Sequence, residues 1–134
     1  MKAMVLAAGF GKRLQPLTRT LPKPMFPVLG RPLLSHTFDL LQYAGIDDIA
    51  VNIHHLPNSI INYFEKENPP PFNLHFSTEE HILGTAGGIK KMQGFLEDGP
   101  FITINSDIIT DIDLNKVINF HKNNNSKLTL VVRQ

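Results

Sequence analysis

The sequence has 134 residues and no cysteine, which excludes disulfide bonds and any metal site or nucleophile built on a thiolate. No apolar run reaches the roughly 18 residues of a membrane span, and the amino terminus carries no long apolar stretch with a cleavage site. We therefore expect a cytoplasmic domain without a membrane partner. A hydrophobic fraction of 42% and a charged fraction of 19% exclude a disordered tail, a collagen-like repeat and a coiled coil.

Acidic residues are missing from the first 38 positions. Those positions hold six lysines and arginines, a charge of +6, whereas the remaining residues carry −5. A solvated basic face would be the ordinary explanation, but these charges lie among glycines and prolines rather than along a periodic helix. We interpret them as a local anion site and not as a nucleic-acid-binding surface.

Strand and helix patterns alternate along the rest of the chain. Short apolar or alternating runs predict five strands, at residues 2–7, 48–53, 72–76, 101–105 and 127–133. Periodic apolar positions predict helices at residues 32–44, 60–64 and 114–121, with Asp113 as a candidate cap for the last. The glycine-rich segment at residues 83–88 leads into a further helix through about Leu96. This order predicts an α/β fold, a doubly wound, mainly parallel Rossmann-like sheet with helices on both faces, in strand order 3-2-1-4-5. The connection at residues 8–31 has no periodic pattern, and its length indicates a functional loop.

Two glycines follow the first strand in the run Ala7-Ala8-Gly9-Phe10-Gly11-Lys12-Arg13. Small residues after a buried strand let main-chain N–H groups turn towards a phosphate. The run lacks the third glycine of a dinucleotide fingerprint and the spacing of a P-loop, and a tight turn would also explain it. Because Arg13 and Lys23 share this acid-free loop, we favour a polyphosphate site, with arginine as a bidentate fork and lysine as a point charge.

Lys23 and Asp107 are both placed for chemistry at phosphates. Lys23 lies between Pro22 and Pro24, which fix the backbone and aim the ammonium group, although a turn with an exposed lysine is the plain alternative. Asp107 follows the fourth strand, whose carboxyl end lies beside that of the first strand in the predicted order. An acid beside a phosphate loop suits Mg²⁺, which binds carboxylates together with phosphate oxygens. A turn residue is the alternative for Asp107.

The run from Leu6 to Leu34, LAAGFGKRLQPLTRTLPKPMFPVLGRPLL, resembles the amino-terminal signature of the sugar-1-phosphate nucleotidyltransferases. It matches their G-x-G-x-R and P-K-P elements in order and spacing. The segments EEHILGTAGGI (residues 79–89) and FITINSD (residues 101–107) resemble the next two motifs of the family. The resemblance implies that residues 1–134 form a nucleotide-binding domain from which the carboxyl-terminal sugar-binding part is missing.

The resemblance also implies a reaction and a set of roles. A nucleoside triphosphate and a sugar 1-phosphate would give a nucleotide sugar and pyrophosphate with Mg²⁺, in nucleotide-sugar biosynthesis. The catalytic residues would be Arg13, Lys23 and Asp107, of which Asp107 would also bind the metal. The nucleotide would be held by Leu6, Ala7, Ala8, Gly9, Gly11, Lys12, Arg13, Lys23, Glu79, Gly84, Thr85 and Asn105. The sugar phosphate is itself the nucleophile, so positioning and charge neutralisation would carry the rate.

The residues leave several points open. The carboxylate of Glu79 suits the N–H donors of guanine, whereas residues 52–56 and 110–114 resemble the N-acetylmuramate-1-phosphate uridylyltransferases more than the mannose-1-phosphate guanylyltransferases. GTP and UTP are therefore both candidates. Ser106 stands where the family usually has glycine. The alternatives in function are a non-catalytic, nucleotide-sugar-binding regulatory subunit and an unrelated Rossmann-like binding module. The oligomeric state, a homo-oligomer included, is also open.

Overall fold

The computed structural model of the protein describes residues 1–132. Its strands, in chain order, are β1 (Lys2–Leu6), β2 (Pro27–Val28), β3 (Arg31–Pro32), β4 (Asp48–Ile53), β5 (Asn73–Thr78) and β6 (Phe101–Asn105). Its α-helices are α1 (Leu33–Tyr43), α2 (Pro57–Ile61), α3 (Gly84–Lys91), α4 (Gln93–Leu96) and α5 (Leu114–Asn123), and a π-helical segment (Asn62–Glu67) continues α2. A parallel sheet in the order β5-β4-β1-β6 lies at the centre, and β2 and β3 form a separate antiparallel ribbon.

The register of the sheet brings three strand ends to one level. Leu6, the last residue of β1, pairs with Asn52 of β4 on one side and with Asn105 of β6 on the other. The loops that leave these strands therefore begin next to one another at the carboxyl edge of the sheet. Ligands of open α/β sheets bind at this edge, where the strand order reverses.

Both faces of the sheet are covered, because successive residues of a buried strand point to opposite sides. Ala3 and Val5 of β1 face a cluster that includes side chains of α1, α2 and α5. Met4 of β1 and Ala50 of β4 face a second cluster that includes side chains of α3 and α4. The prediction of a mainly parallel sheet with helices on both faces is therefore confirmed.

Two predictions of secondary structure need correction. The helix expected through about Leu96 is two helices, because the backbone of Met92, at φ −94° and ψ 17°, leaves the helical region between α3 and α4. The fifth strand, expected over residues 127–133, is wrong for residues 127–132, which belong to no strand. Leu128 and Leu130 are 74% and 73% exposed there, so the apolar alternation has no sheet neighbour. Arg133 lies outside the described residues.

The long connection between β1 and α1 is ordered by three short 3-10 turns, at Lys12–Leu14, Leu17–Arg19 and Lys23–Met25, and by the ribbon of β2 and β3. Thr18 and Met25, which belong to this connection, are buried. At its end Arg31 donates from both terminal nitrogens to Asp39 of α1, at 2.8 and 3.1 Å, and this hydrogen bond raises the pKa of Arg31 above its usual value. Within residues 1–132 no helix has the length and apolar character to cross a membrane.

Candidate active site

A cleft of about 710 Å³ opens at the carboxyl ends of β1 and β6. Every position predicted to bind nucleotide, to act in catalysis or to bind metal lines this cleft, with the exception of Glu79. The cleft is also lined by Phe10, Leu14, Pro24, Asn52, Ile82 and Ser106. The structure thus brings together three motifs that lie as much as a hundred residues apart in the sequence.

The loop after β1 is shaped by Gly11, whose backbone is left-handed at φ +60°. A Cβ atom at Gly11 would lie 2.8 Å from the methyl carbon of Thr18, so the loop needs glycine for its conformation and for its close packing. The carbonyl oxygen of Gly11 accepts hydrogen bonds from the Leu14 N–H at 2.9 Å and from the Thr18 hydroxyl at 3.2 Å. This turn leaves Lys12 and Arg13 exposed along the wall of the cleft.

Lys23 reaches the cleft from a rigid support. Pro22 and Pro24 on either side of it are buried, and the N–H of Met25 closes the turn onto the carbonyl of Pro22 at 2.8 Å. The ammonium group of Lys23 donates to Oδ2 of Asp107, which follows β6. The two side chains are 35% and 38% exposed, so both are open to a ligand in the cleft. Three cationic side chains and one carboxylate therefore face the same space.

Asp107 is the acidic side chain that lines the cleft. Among the residues that the structure describes, no three His, Cys, Asp or Glu side chains are grouped to hold a metal ion. A site with one carboxylate can still suit Mg²⁺, because this ion binds to one or two carboxylates and takes its other ligands from phosphate oxygens and water. Ser106, beside Asp107, is buried and its N–H donates to the carbonyl of Leu6 at 3.0 Å.

Glu79 lies behind the wall of the cleft and is 2% exposed. Its carboxylate accepts from the Asn52 amide at 2.8 Å and from the Leu83 N–H at 2.9 Å. The Asn52 oxygen in turn accepts from the Ala7 N–H at 2.9 Å. Asn52 is not among the residues predicted for the site, although its position as a polar residue near the end of the apolar strand DIAVNI is a signal that could have found it.

Two histidines, His54 and His55, hold loops around the cleft. A ring nitrogen of His55 lies 2.5 Å from the carbonyl oxygen of Thr18, and a ring nitrogen of His54 lies 2.7 Å from the carbonyl oxygen of Glu79. The ring of Phe10 meets His54 edge-on, with the centroids 5.1 Å apart. The end of β4 thus connects the loop after β1 with the segment before α3.

Comparison with known proteins identifies the family. The sequence profile described as "Nucleotidyl transferase" matches residues 2–134. The chain belongs to the nucleotidyl transferase family. It is 38% identical to a mannose-1-phosphate guanyltransferase of Emericella nidulans over 98% of its length, and 36% identical to a UTP–glucose-1-phosphate uridylyltransferase of Synechocystis over 99% of its length. These matches cover 37% of each relative, so this nucleotidyl transferase chain spans little more than a third of the curated relatives' length.

Solved structures agree with this assignment of the nucleotidyl transferase chain. HddC from Yersinia pseudotuberculosis, in a crystal structure with GMP-PN, has a TM-score of 0.80 at 32% identity over 90% of this chain and 53% of that one. A putative glucose-1-phosphate thymidylyltransferase from Bacillus anthracis has a TM-score of 0.84 at 22% identity, over 92% of this chain and 50% of that one. The second likeness shows the fold alone. Sugar nucleotidyltransferases generally use a divalent metal ion, and Asp107 lines the cleft of this chain.

Proposed function

We propose that the cleft binds a nucleoside triphosphate with Mg²⁺ and transfers its nucleoside monophosphate to a sugar 1-phosphate. The observation that carries the proposal is the convergence of Arg13, Lys23 and Asp107 on one cleft at the carboxyl edge of the sheet. Cations held around one cleft stabilise a polyphosphate and the charge that develops during phosphoryl transfer. The aspartate would be out of place in a site for an anion alone, but it suits a bound cation.

The reaction asks little of the protein in covalent chemistry. An oxygen of the sugar phosphate forms a bond to the α-phosphorus, and the bond from that phosphorus to the bridging oxygen breaks, so that pyrophosphate leaves. Arg13 would neutralise the leaving pyrophosphate, and Lys23 would bridge the reacting phosphates. Asp107 would hold Mg²⁺, which supplies further charge neutralisation at the phosphate oxygens.

We propose GTP or UTP as the nucleotide. The curated relatives named above are a guanyltransferase and a uridylyltransferase, and HddC was crystallised with GMP-PN. Glu79, which alone favoured guanine on chemical grounds, has both carboxylate oxygens occupied by Asn52 and Leu83. We further propose that residues 1–134 form a nucleotide-binding domain and that the sugar-binding part lies outside it.

Nucleotide binding by the 134-residue chain tests the proposal. Calorimetric titration with MgGTP and MgUTP should give a Kd below about 1 mM for at least one of them. Lys23→Met should weaken the binding of that nucleotide by about 10- to 100-fold, because a charge-assisted contact to phosphate is lost. Lys66→Met, at an exposed lysine that does not line the cleft, is the matched control and should leave Kd unchanged.

The metal and the transfer step need separate measurements. Asp107→Asn should remove most of the Mg²⁺ dependence of binding, whereas Asp111→Asn, at an exposed acid that does not line the cleft, should not. Pyrophosphate release with a panel of sugar 1-phosphates then separates an enzyme from a regulatory subunit, which would bind without turnover. If Lys23→Met and Lys66→Met bind equally well, the cleft is not the triphosphate site.

A further inference from the structure

One part of the cleft has two walls that come from different parts of the chain. Residues 6–9, at the end of β1, form the first wall. The segment 82–85, around the start of α3, forms the second wall through Ile82, Gly84 and Thr85, which line the cleft. Between the walls, on the side of the sheet that α3 covers, lie Asn52 and Glu79, which are 3% and 2% exposed. Glu79 does not line the cleft, and both of its carboxylate oxygens accept hydrogen bonds from within the protein.

Three hydrogen bonds run from one wall to the other through these two side chains. The Ala7 N–H donates to Oδ1 of Asn52 at 2.9 Å, and Nδ2 of Asn52 donates to Oε1 of Glu79 at 2.8 Å. From the second wall the Leu83 N–H donates to Oε2 of Glu79 at 2.9 Å. We refer to this series of bonds as the Asn52–Glu79 bridge.

The direction of each bond in the bridge is fixed from its ends. Both ends are main-chain N–H groups, which can only donate. Asn52 accepts on one side and therefore donates on the other, so position 79 has to accept twice. A carboxylate accepts on both oxygens, whereas a glutamine amide accepts on one side and donates on the other. Glutamate is therefore the side chain that completes the series, although glutamine has the same shape.

The bridge is also held tightly in place. A Cβ atom at Gly88 of α3 would lie 2.6 Å from Nδ2 of Asn52 and 3.0 Å from Oε1 of Glu79, so the helix backbone packs directly against both groups. A ring nitrogen of His54 lies 2.7 Å from the carbonyl oxygen of Glu79 and adds a further contact to the same segment. Neither side chain has room to turn without breaking a bond.

We propose that Asn52 and Glu79 are positioning residues, which set the distance between the two walls and thereby the fit of the nucleoside. This inference rests on the proposed function for its ligand, whereas the bridge itself is tested without one. The donor and acceptor pattern of the bridge gives a specific prediction. Exchanging the amide and the carboxylate between positions 52 and 79 should preserve the bridge. With aspartate at 52 and glutamine at 79, the Ala7 and Leu83 amides both still meet acceptors, and the glutamine amide donates to the aspartate.

The test compares Glu79→Gln, Asn52→Asp and the double variant Asn52→Asp/Glu79→Gln. Glu79→Gln should lower Tm by roughly 5–10 °C, because one buried donor then faces another. Asn52→Asp should lower Tm at least as much, because two carboxylates come into contact. The double variant should recover at least half of the loss. Hydrogen exchange should show the Ala7 and Leu83 amides protected in the wild type and in the double variant.

A pair at the other end of the same two strands supplies the control. Nδ2 of Asn73 donates to Oδ1 of Asp48 at 2.9 Å, at an exposed position away from the cleft. Asp48→Asn should change Tm by less than about 2 °C and leave nucleotide binding unchanged. It makes the same change of a carboxylate to an amide, between the same strands, without a buried mismatch.

Nucleotide affinity decides the positioning role. Titrated well below its Tm, Glu79→Gln should bind the preferred MgNTP about tenfold more weakly than the wild type, and the double variant should regain most of that affinity. A double variant less stable than Glu79→Gln would overturn the polarity of the bridge. Equal affinity in Glu79→Gln and wild type would overturn the positioning role. A wild type that binds no nucleotide would overturn the positioning role and the proposed function together, while the Tm comparison would still judge the bridge.

Discussion

Gly88→Ala offers the sharpest test of how closely α3 packs on the sheet. In an open helix this change would stabilise the protein by about 1 kcal/mol, because alanine has the higher helix propensity. At Gly88, however, the new Cβ atom would lie 2.6 Å from Nδ2 of Asn52, a distance that such atoms do not tolerate. Asn52 is hydrogen-bonded through both ends of its amide and cannot move aside freely.

The magnitude follows from these contacts. Overpacking of a buried site destabilises by about 1–3 kcal/mol, and displacement of the Asn52 amide leaves a buried donor unsatisfied at a further cost of about 1–3 kcal/mol. After the gain in helix propensity, the net loss for Gly88→Ala should be about 1–5 kcal/mol. For a domain of this size that corresponds to a Tm lower by roughly 3–20 °C.

Circular dichroism at rising temperature is the assay, and Gly94→Ala is the matched control. Gly94 lies in α4 with no atom within 4 Å of an added Cβ, so the same substitution there should raise Tm by a few degrees. The two variants should therefore change Tm in opposite directions. If Gly88→Ala is as stable as the wild type or more so, the close packing of α3 on Asn52 and Glu79 is refuted.

Three further substitutions test other parts of the fold. Asp113→Ala removes the carboxylate that accepts from the Lys116 N–H at the start of α5, and urea unfolding should show a loss of about 0.5–2 kcal/mol, with no loss in Asp113→Ser. Phe38→Ala removes a buried ring that packs edge-on against two other phenylalanines, and the same measurement should show a loss of about 3–5 kcal/mol. Gly11→Ala forces a Cβ atom against Thr18 in a left-handed backbone, and calorimetry should show nucleotide affinity at least tenfold lower than in Gly30→Ala, where φ is also positive but the space is open.

The sheet could be predicted because its strands carry their own signal. The apolar runs at β1, β4 and β6 and the alternation at β5 stand between helical patterns, and the order of the four strands follows from the preference for crossovers between parallel neighbours. The prediction of the fifth strand was wrong for a physical reason. Residues 127–132 have the alternation of a strand, but a strand also needs a neighbour to hydrogen-bond with, and local sequence does not contain that information.

Part of the candidate site could likewise be predicted from the sequence, and part of it could not. The small residues after β1, the lysine between two prolines and the aspartate after β6 each have a chemistry that shows in the sequence, and all of them line the cleft. Glu79 does not line the cleft, because its carboxylate points towards the donors that Asn52 and Leu83 supply. That direction cannot be predicted from the sequence. Asn52 is 27 residues away from Glu79, so the bond between them is a property of the folded sheet.

The proposed function depends most directly on where a nucleoside triphosphate binds. Amide chemical-shift mapping of the 134-residue chain during titration with MgGTP and MgUTP measures this without a need for turnover. We predict shifts concentrated at residues 6–13, 84–85 and 105–107, which line the cleft. No shifts at millimolar nucleotide, or shifts centred on another surface of the protein, would contradict the account.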